Sequence, residues 1–119
     1  MKLGVFAVLL GGQSLEEALK YLSASGVQAV EIGTGGYPGN SHAKPDVLLK
    51  DEGKLQEFKG LVEKYGMEIS ALSCHGNPVH PQKAIAEGFQ RDFEETVLLA
   101  EKLGINRVVT FSGCPGDSP

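Results

Sequence analysis

A glycine recurs at nearly constant spacing in this sequence, each time between a helical stretch and an apolar strand. The three junctions lie 40 and 38 positions apart and are Ser25-Gly26-Val27, Tyr65-Gly66-Met67 and Leu103-Gly104-Ile105. A fixed period of this length is typical of repeated supersecondary units. Each unit has the order strand, loop, helix, glycine, strand, which predicts a parallel sheet with helices packed against it.

The repeats predict four strands and three helices in one α/β unit. The strands are expected over residues 2–9, 27–32, 67–73 and 107–111, and the helices over about 15–25, 52–65 and 82–103. A long loop is expected after the second strand, over residues 33–50. Right-handed crossovers would place the four strands side by side in chain order. The inward face of the third helix is expected to consist of Phe89, Phe93, Val97, Ala100 and Leu103.

The length of the chain limits how much of a barrel it can form. A complete eight-stranded α/β barrel needs about 250 residues, whereas this chain has 119. We therefore expect residues 1–119 to be one domain, the N-terminal half of a TIM (β/α)8 barrel. Such a half-barrel leaves its first and fourth strands as open edges, which are templates for association. A homo-oligomer, or association with a C-terminal half, is expected.

Charge and cysteine content narrow the class of partner and compartment. The net charge is −4 without clustered Lys or Arg, which argues against nucleic acid and anionic membranes as partners. The apolar run over residues 3–10 lacks a cleavage site and is predicted to be a buried strand rather than a signal peptide. Cys74 and Cys114 have no CxxC spacing. They are expected to be free thiols in a reducing compartment, which predicts a cytoplasmic protein.

Candidate functional residues follow the ends of the predicted strands. In α/β barrels the active site is built at the carboxyl ends of the strands, so polar and aromatic residues there are the candidates. Going from the first strand to the fourth, they are Phe6, Glu31, Cys74, His75, Asn77, His80, Ser112 and Asp117.

Glu31 and His75 are the two most informative of these candidates. Glu31 lies within an apolar strand, where an unpartnered carboxylate would be costly to bury. It either orients groups in a barrel mouth or pairs with a nearby lysine or backbone amide. His75 directly follows an apolar strand, and an imidazole there can bind a metal, donate to a sugar hydroxyl or move a proton. An ordinary structural hydrogen bond is the alternative.

The loop after the third strand allows two interpretations. His80 follows His75 by five residues, so the two histidines are candidates for a metal pair. Alternatively, the prolines around His80 make this a rigid loop in which Asn77 presents its amide to a ligand. His42, in the long loop after the second strand, is expected to be solvated. Cys74 is not expected to be a nucleophile, because no base is apparent near it in the sequence.

Four segments together resemble a known family. They are Glu31-Ile32-Gly33, the stretch Ser73-Cys74-His75-Gly76-Asn77-Pro78-Val79-His80-Pro81, residues 99–104 (Leu-Ala-Glu-Lys-Leu-Gly) and Ser112-Gly113. In order and spacing they resemble the xylose isomerase-like TIM barrels, and within these the sugar phosphate isomerase/epimerase group. The resemblance implies a barrel enzyme of carbohydrate metabolism that uses Mn²⁺, Mg²⁺, Co²⁺ or Zn²⁺ to stabilise an enediolate.

The resemblance also implies which parts of the site this chain carries. In the epimerase branch, the metal ligands and the two acidic residues that move the proton come from the second half of the barrel. The resemblance therefore predicts no complete catalytic set here, and an inactive chain when it is alone. The expected contribution is the wall that binds a sugar or polyol, formed by Phe6, Glu31, His75, Asn77 and Ser112.

Two further hypotheses stand beside a metal-dependent isomerase or epimerase. One is a non-catalytic half-barrel that self-associates or binds a polyol. The other is a metal-dependent hydrolase like endonuclease IV, because His75 matches a zinc-binding position of that branch. That branch has a second histidine after the fourth strand, where this sequence has Thr110-Phe111-Ser112-Gly113.

Overall fold

The computed structural model describes residues 1–116. Asp117, a candidate from the sequence, lies outside the described residues. The elements in chain order are β1 (Gly4–Phe6), a 3₁₀ helix (Ala7–Leu10), α1 (Leu15–Ala24), β2 (Ala29–Gly36), α2 (Pro45–Lys50), α3 (Glu52–Lys64), β3 (Glu68–His75), α4 (Lys83–Leu103) and β4 (Val108–Val109).

The four strands form one parallel sheet in the order β1-β2-β3-β4. Phe6 is in register with Glu31, and Gly36 is in register with His75. β4 joins through two residues only, with Val109 beside Ser73. Consecutive parallel strands joined by helices are the arrangement of a (β/α) barrel, so the prediction of four adjacent barrel strands is confirmed.

The core lies between the sheet and the helices. Val30, Ile32 and Leu72 are fully buried on the helix-facing side of the sheet. They pack in one cluster with apolar residues of the helices, among them Leu19, Leu22, Leu55, Phe58, Val62, Leu99 and Ala100. Burial of this apolar surface is the main source of stability for a sheet covered by helices. Because side chains alternate along a strand, it also determines which residues lie on the face of the sheet opposite the helices.

The local structure at the helix ends explains the helix boundaries that the sequence predicts. Ser14 and Glu17 form a capping box at the start of α1, as a serine followed three residues later by a glutamate indicates in the sequence. The three junction glycines, Gly26, Gly66 and Gly104, have φ values of 82°, 65° and 69°. This left-handed conformation carries little steric cost for glycine, which explains why glycine recurs where each helix turns into the next strand.

Both outer strands are shorter than predicted. β1 ends at Phe6, and Ala7–Leu10 form a 3₁₀ helix rather than strand. β4 covers Val108–Val109 instead of residues 107–111. Each of these strands has one neighbour within residues 1–116, so a single ladder sets its paired length. Periodicity could not show this, because a continuous apolar run fits a strand or a tight helix equally well.

The segment after β2 departs most from the prediction. β2 continues to Gly36, with register shifts between Val30 and Glu31 and between Gly33 and Gly35. The expected long loop also contains α2, which begins with Pro45 at its first turn. Proline is favoured there because its nitrogen has no hydrogen to leave unpaired. The glycines and prolines of this region usually indicate a loop, so the sequence predicted neither the longer strand nor the helix.

The buried face of α4 differs from the predicted one. Its buried residues are Thr96, Leu99 and Ala100, whereas Val97, expected to face inward, is 43% exposed. Apolar side chains occur on more than one face of this helix, so spacing alone did not identify the face against the sheet. Within residues 1–116, no helix is both long and apolar enough to cross a membrane.

Candidate functional site

Three of the predicted site residues lie on the sheet face that points away from the helices. Phe6 and Glu31 are adjacent across β1 and β2, and the rings of Phe6 and His75 are 6.2 Å apart. Ser73 lies on the same face, two residues before His75, because side chains alternate along a strand. We call Phe6, Glu31, Ser73 and His75 the rim group. In a closed barrel this face would line the interior.

Glu31 is held by a serine that the sequence analysis did not select. Ser73 Oγ donates a hydrogen bond to Glu31 Oε1. Ser73 is fully buried, whereas Glu31 is half-buried. The partner of Glu31 among the described residues is thus a neutral hydroxyl of the rim group. The spacing of two between Ser73 and His75 was the signal that could have identified this serine.

His75 is surrounded by aromatic rings and has one unpartnered nitrogen. Its ring stacks on Phe111 with centroids 4.4 Å apart and an interplanar angle of 20°, and Phe6 approaches it edge-on. Nε2 is buried without a hydrogen-bond partner among residues 1–116. A buried polar atom left unpaired costs about 1–3 kcal/mol, so this nitrogen is well placed to bond a ligand or water.

A cavity of about 530 Å³ opens beside the rim group, between the loops that follow β3 and β4. It is lined by Tyr37, Gly76, Asn77, Thr110, Phe111, Ser112, Gly113 and Cys114. This volume is typical of small-molecule sites. Asn77 and Ser112 therefore lie at the cavity rather than in the rim group, and Phe111 connects the two places because its ring also stacks on His75.

The described residues do not form a metal site by themselves. No group of three or more His, Cys, Asp or Glu side chains within residues 1–116 is arranged to hold a metal ion. His80 Nδ1 accepts a hydrogen bond from the backbone nitrogen of Gln82, at 3.0 Å. This imidazole thus supports the start of α4. The donor set of this part of the chain does not fit a divalent cation, and a single histidine such as His75 could be at most one ligand.

The expectation that His42 is solvated is wrong. His42 is 9% exposed, and its Nε2 donates to the carbonyl of Gln13 at 3.0 Å. The ring therefore ties the loop after β2 to the segment before α1. The contact joins residues 29 positions apart, so no local pattern in the sequence could have indicated it.

The two cysteines are free and differ in exposure. Cys74 is buried and Cys114 is exposed. Burial raises the pKa of the Cys74 thiol. A reactive cysteine needs a lowered pKa. The environment of Cys74 therefore does not favour a role as nucleophile.

The fold and the motifs define a family. The profile of the xylose isomerase-like TIM barrels matches residues 19–119, and the chain belongs to this family. The predicted resemblance is confirmed.

One relative in sequence and one solved structure of the same fold show the extent of the likeness. YfiH of Bacillus subtilis (strain 168), an uncharacterized protein, is 33% identical over 119 residues, which are 100% of this chain and 38% of YfiH. The crystal structure of D-psicose 3-epimerase in the presence of D-fructose shares the fold, with a TM-score of 0.60 and 13% identity over 92% of this chain and 37% of that chain. This chain therefore spans well under half the length of either of these two proteins.

Proposed function

We propose that this chain supplies the substrate-binding wall of a sugar or sugar-phosphate isomerase or epimerase. The observation that carries the proposal is the Nε2 of His75, which is buried without a hydrogen-bond partner among residues 1–116. Its ring contacts Phe6 and Phe111, and it lies on the same face of the sheet as the hydrogen-bonded carboxylate of Glu31. A sugar presents C–H faces and hydroxyl groups side by side. Rings that cover C–H groups and polar atoms that bond hydroxyls form a site of matching chemistry.

Four of the five predicted wall residues contact the substrate in this proposal. His75 Nε2 bonds a substrate hydroxyl, and Phe6 and Phe111 cover the apolar face of the sugar. Glu31 accepts from a second hydroxyl while Ser73 holds its carboxylate in place. Ser112, exposed at the cavity, is within the part of the site that would contact the distal end of the substrate.

The chemistry of the reaction is proposed to rest on other parts of a barrel. Isomerisation or epimerisation at a carbinol carbon requires proton transfer next to a carbonyl group. We place the divalent cation that the family commonly uses outside the described residues, because these do not contain its ligand set. The contribution of this chain is to bind and orient the substrate, which lowers the entropic part of the barrier.

A non-catalytic role is the second candidate. The same wall could bind a polyol without turnover, and the incomplete donor set among residues 1–116 favours this for the chain on its own. We further propose that the outer strands β1 and β4 associate in solution, either with a second copy or with the remaining strands of a barrel. A hydrolase acting on DNA is not proposed, since the chain is acidic and carries no histidine beside Phe111.

Solvent-deuterium exchange tests the catalytic proposal. A polypeptide that contains this sequence within a complete barrel is incubated with Mn²⁺ in D₂O and a panel of ketohexoses and their 6-phosphates. We expect deuterium at the carbon next to the carbonyl of one substrate and a large loss of kcat/KM in His75→Gln. The matched control is Gln56→Glu, on the exposed face of α3. Absence of exchange with every sugar would overturn the catalytic proposal.

Binding is tested separately on the 119-residue chain. D-Fructose and D-fructose 6-phosphate are titrated while the imidazole signals of the three histidines are followed by NMR. The signals of His75 are expected to move, and those of His42 and His80 to stay. Binding without exchange in the complete barrel would establish the non-catalytic role, and movement of no histidine signal would contradict the proposed wall.

A further inference from the structure

We propose that Asn77 is a positioning residue that holds the loop after β4 and thereby keeps Phe111 stacked on His75. The proposal rests on the function proposed above, since it concerns how the wall is assembled. It assigns Asn77 a role different from the direct substrate contact that the sequence predicted.

The side chain of Asn77 bonds one residue of the opposite loop twice. Its Nδ2 donates to the carbonyl of Cys114 at 2.8 Å, and the backbone nitrogen of Cys114 donates to Oδ1 at 2.9 Å. A carboxamide has the same donor and acceptor pattern as a peptide group. The pair therefore continues the β3–β4 connection beyond the strands, across 37 positions of sequence.

The strands themselves do not hold this loop. β4 ends at Val109, and its last register pair is with Ser73. Beyond it, Thr110 Oγ1 donates to the carbonyl of Cys74 at 2.9 Å. Phe111 thus lies between two side-chain attachments, one at Thr110 and the other from Asn77 to Cys114.

The path of the loop is fitted closely to Asn77. Gly113 has a φ of 92°. A Cβ atom at this position would lie 2.6 Å from Asn77 Oδ1 and 2.8 Å from Val79 Cγ2. The loop therefore packs against residues 77–79 with no room for a side chain, which limits the positions that Phe111 can take.

Phe111 depends on this arrangement because little else covers it. Its side chain is 51% exposed, and its ring contacts are with His75 at 4.4 Å and Tyr37 at 6.4 Å. Without the bonds from Asn77, the loop would keep the attachment at Thr110 alone. We expect the phenyl ring then to leave the imidazole, and the 530 Å³ cavity to lose its shape.

Ring-current shifts provide the test, on the 119-residue chain with labelled histidine and without any ligand. A phenyl ring stacked on the imidazole shifts the ring protons of His75, which are assigned by their loss in His75→Gln. Phe111→Leu gives the unstacked reference. In Asn77→Ala, the chemical shifts of the His75 ring protons are expected to move most of the way from their wild-type values to those of Phe111→Leu. Asn77→Asp, which retains an acceptor for the Cys114 nitrogen but loses the donor, should fall between the two.

The matched control is Asn106→Ala, an exposed asparagine at the other end of β4, and its His75 signals should remain at the wild-type position. Unchanged His75 signals in a folded Asn77→Ala chain would overturn the proposal. So would loss of the core amide signals in that variant, since Asn77 would then support the whole fold. Either result leaves the sugar-binding proposal to be judged by its own titration and exchange experiments.

Discussion

The hydroxyl oxygens of Thr34 and Thr96 lie 2.8 Å apart in the interior, joining β2 to α4. Thr34 Oγ1 also donates to the carbonyl of Ser73 at 3.1 Å, so Thr96 must donate to Thr34. Thr34 and Thr96 are 1% and 0% exposed. This chain of bonds runs from α4 through the irregular part of β2 to the residue that holds Glu31. It connects the helix layer to the rim group.

Thr96→Val should destabilise the chain by about 1–2 kcal/mol, because it removes a buried bond and leaves an acceptor unpaired. Thr34→Val should cost at least as much, since it also abandons the Ser73 carbonyl. In urea unfolding the double variant is expected to lose clearly less than the two single losses combined. Strict additivity would show that the hydroxyls do not act as a pair.

Gly113→Ala should destabilise the chain by about 1–3 kcal/mol, the usual range for a non-glycine residue in a strained backbone conformation. The cause is the φ of 92° together with the close approach of Asn77 Oδ1. Gly12→Ala is the control, because a Cβ there would meet no atom within 4 Å. Urea unfolding of both variants checks the prediction, and equal stabilities would contradict it.

The free energy of unfolding should decrease at acidic pH, in part because Glu17 becomes protonated. The hydrogen bond that the backbone nitrogen of Ser14 donates to Glu17 Oε2 at 2.9 Å is the main cause that lowers the pKa of the Glu17 carboxyl from 4.5. The charged form is thus favoured in the folded chain, and the stabilisation is present above pH 4.5 and lost as the pH falls through the lower folded pKa. Between pH 7 and pH 3, Glu17→Gln should lose less stability than wild type in urea titrations. Equal losses would rule out this linkage.

The cysteines should react with Ellman's reagent at different rates. Cys114 is exposed and should react rapidly, whereas Cys74 is buried, with a raised pKa, and should react only as the chain opens. Cys114→Ser should remove the fast phase and Cys74→Ser the slow one. A single fast phase of two thiols in the native chain would contradict the described burial.

The outer strands β1 and β4, each with one neighbour among residues 1–116, should make the chain associate. In sedimentation velocity we expect species larger than one chain, and Val109→Lys should shift them towards monomer, because a charge on an edge strand opposes pairing. Val109 is 40% exposed on β4. Gln56→Lys on α3 is the charge-matched control and should leave the distribution unchanged. A monomeric wild type would show that the edges do not associate.

The sequence predicted well whatever depends on local pattern. Gly26, Gly66 and Gly104 marked the turns from helix to strand, and the capping box at Ser14 and Glu17 is present. Because the ends of parallel strands meet at one edge of a sheet, the sequence predicted Phe6, Glu31 and His75 as neighbours, and the structure brings them together.

Contacts between distant residues were beyond such reasoning. The burial of His42 depends on Gln13, and the hold on Glu31 depends on Ser73, 42 positions away. The extent of β2 and the presence of α2 were concealed by glycines and prolines, which usually indicate loops. These errors share one cause, since tertiary packing decides them and local propensity does not.

Because β4 has only two residues, this end of the sheet should open more easily than its centre. Amide protons near Val108 should exchange with solvent sooner than those of β2 and β3, because so few bonds must break to expose them. Phe111 therefore follows the part of the sheet that we expect to be least protected, two residues beyond the end of β4. A sugar bound against Phe111 would reduce the motion of residues 108–111. The entropy lost in this local ordering would lower its net binding free energy.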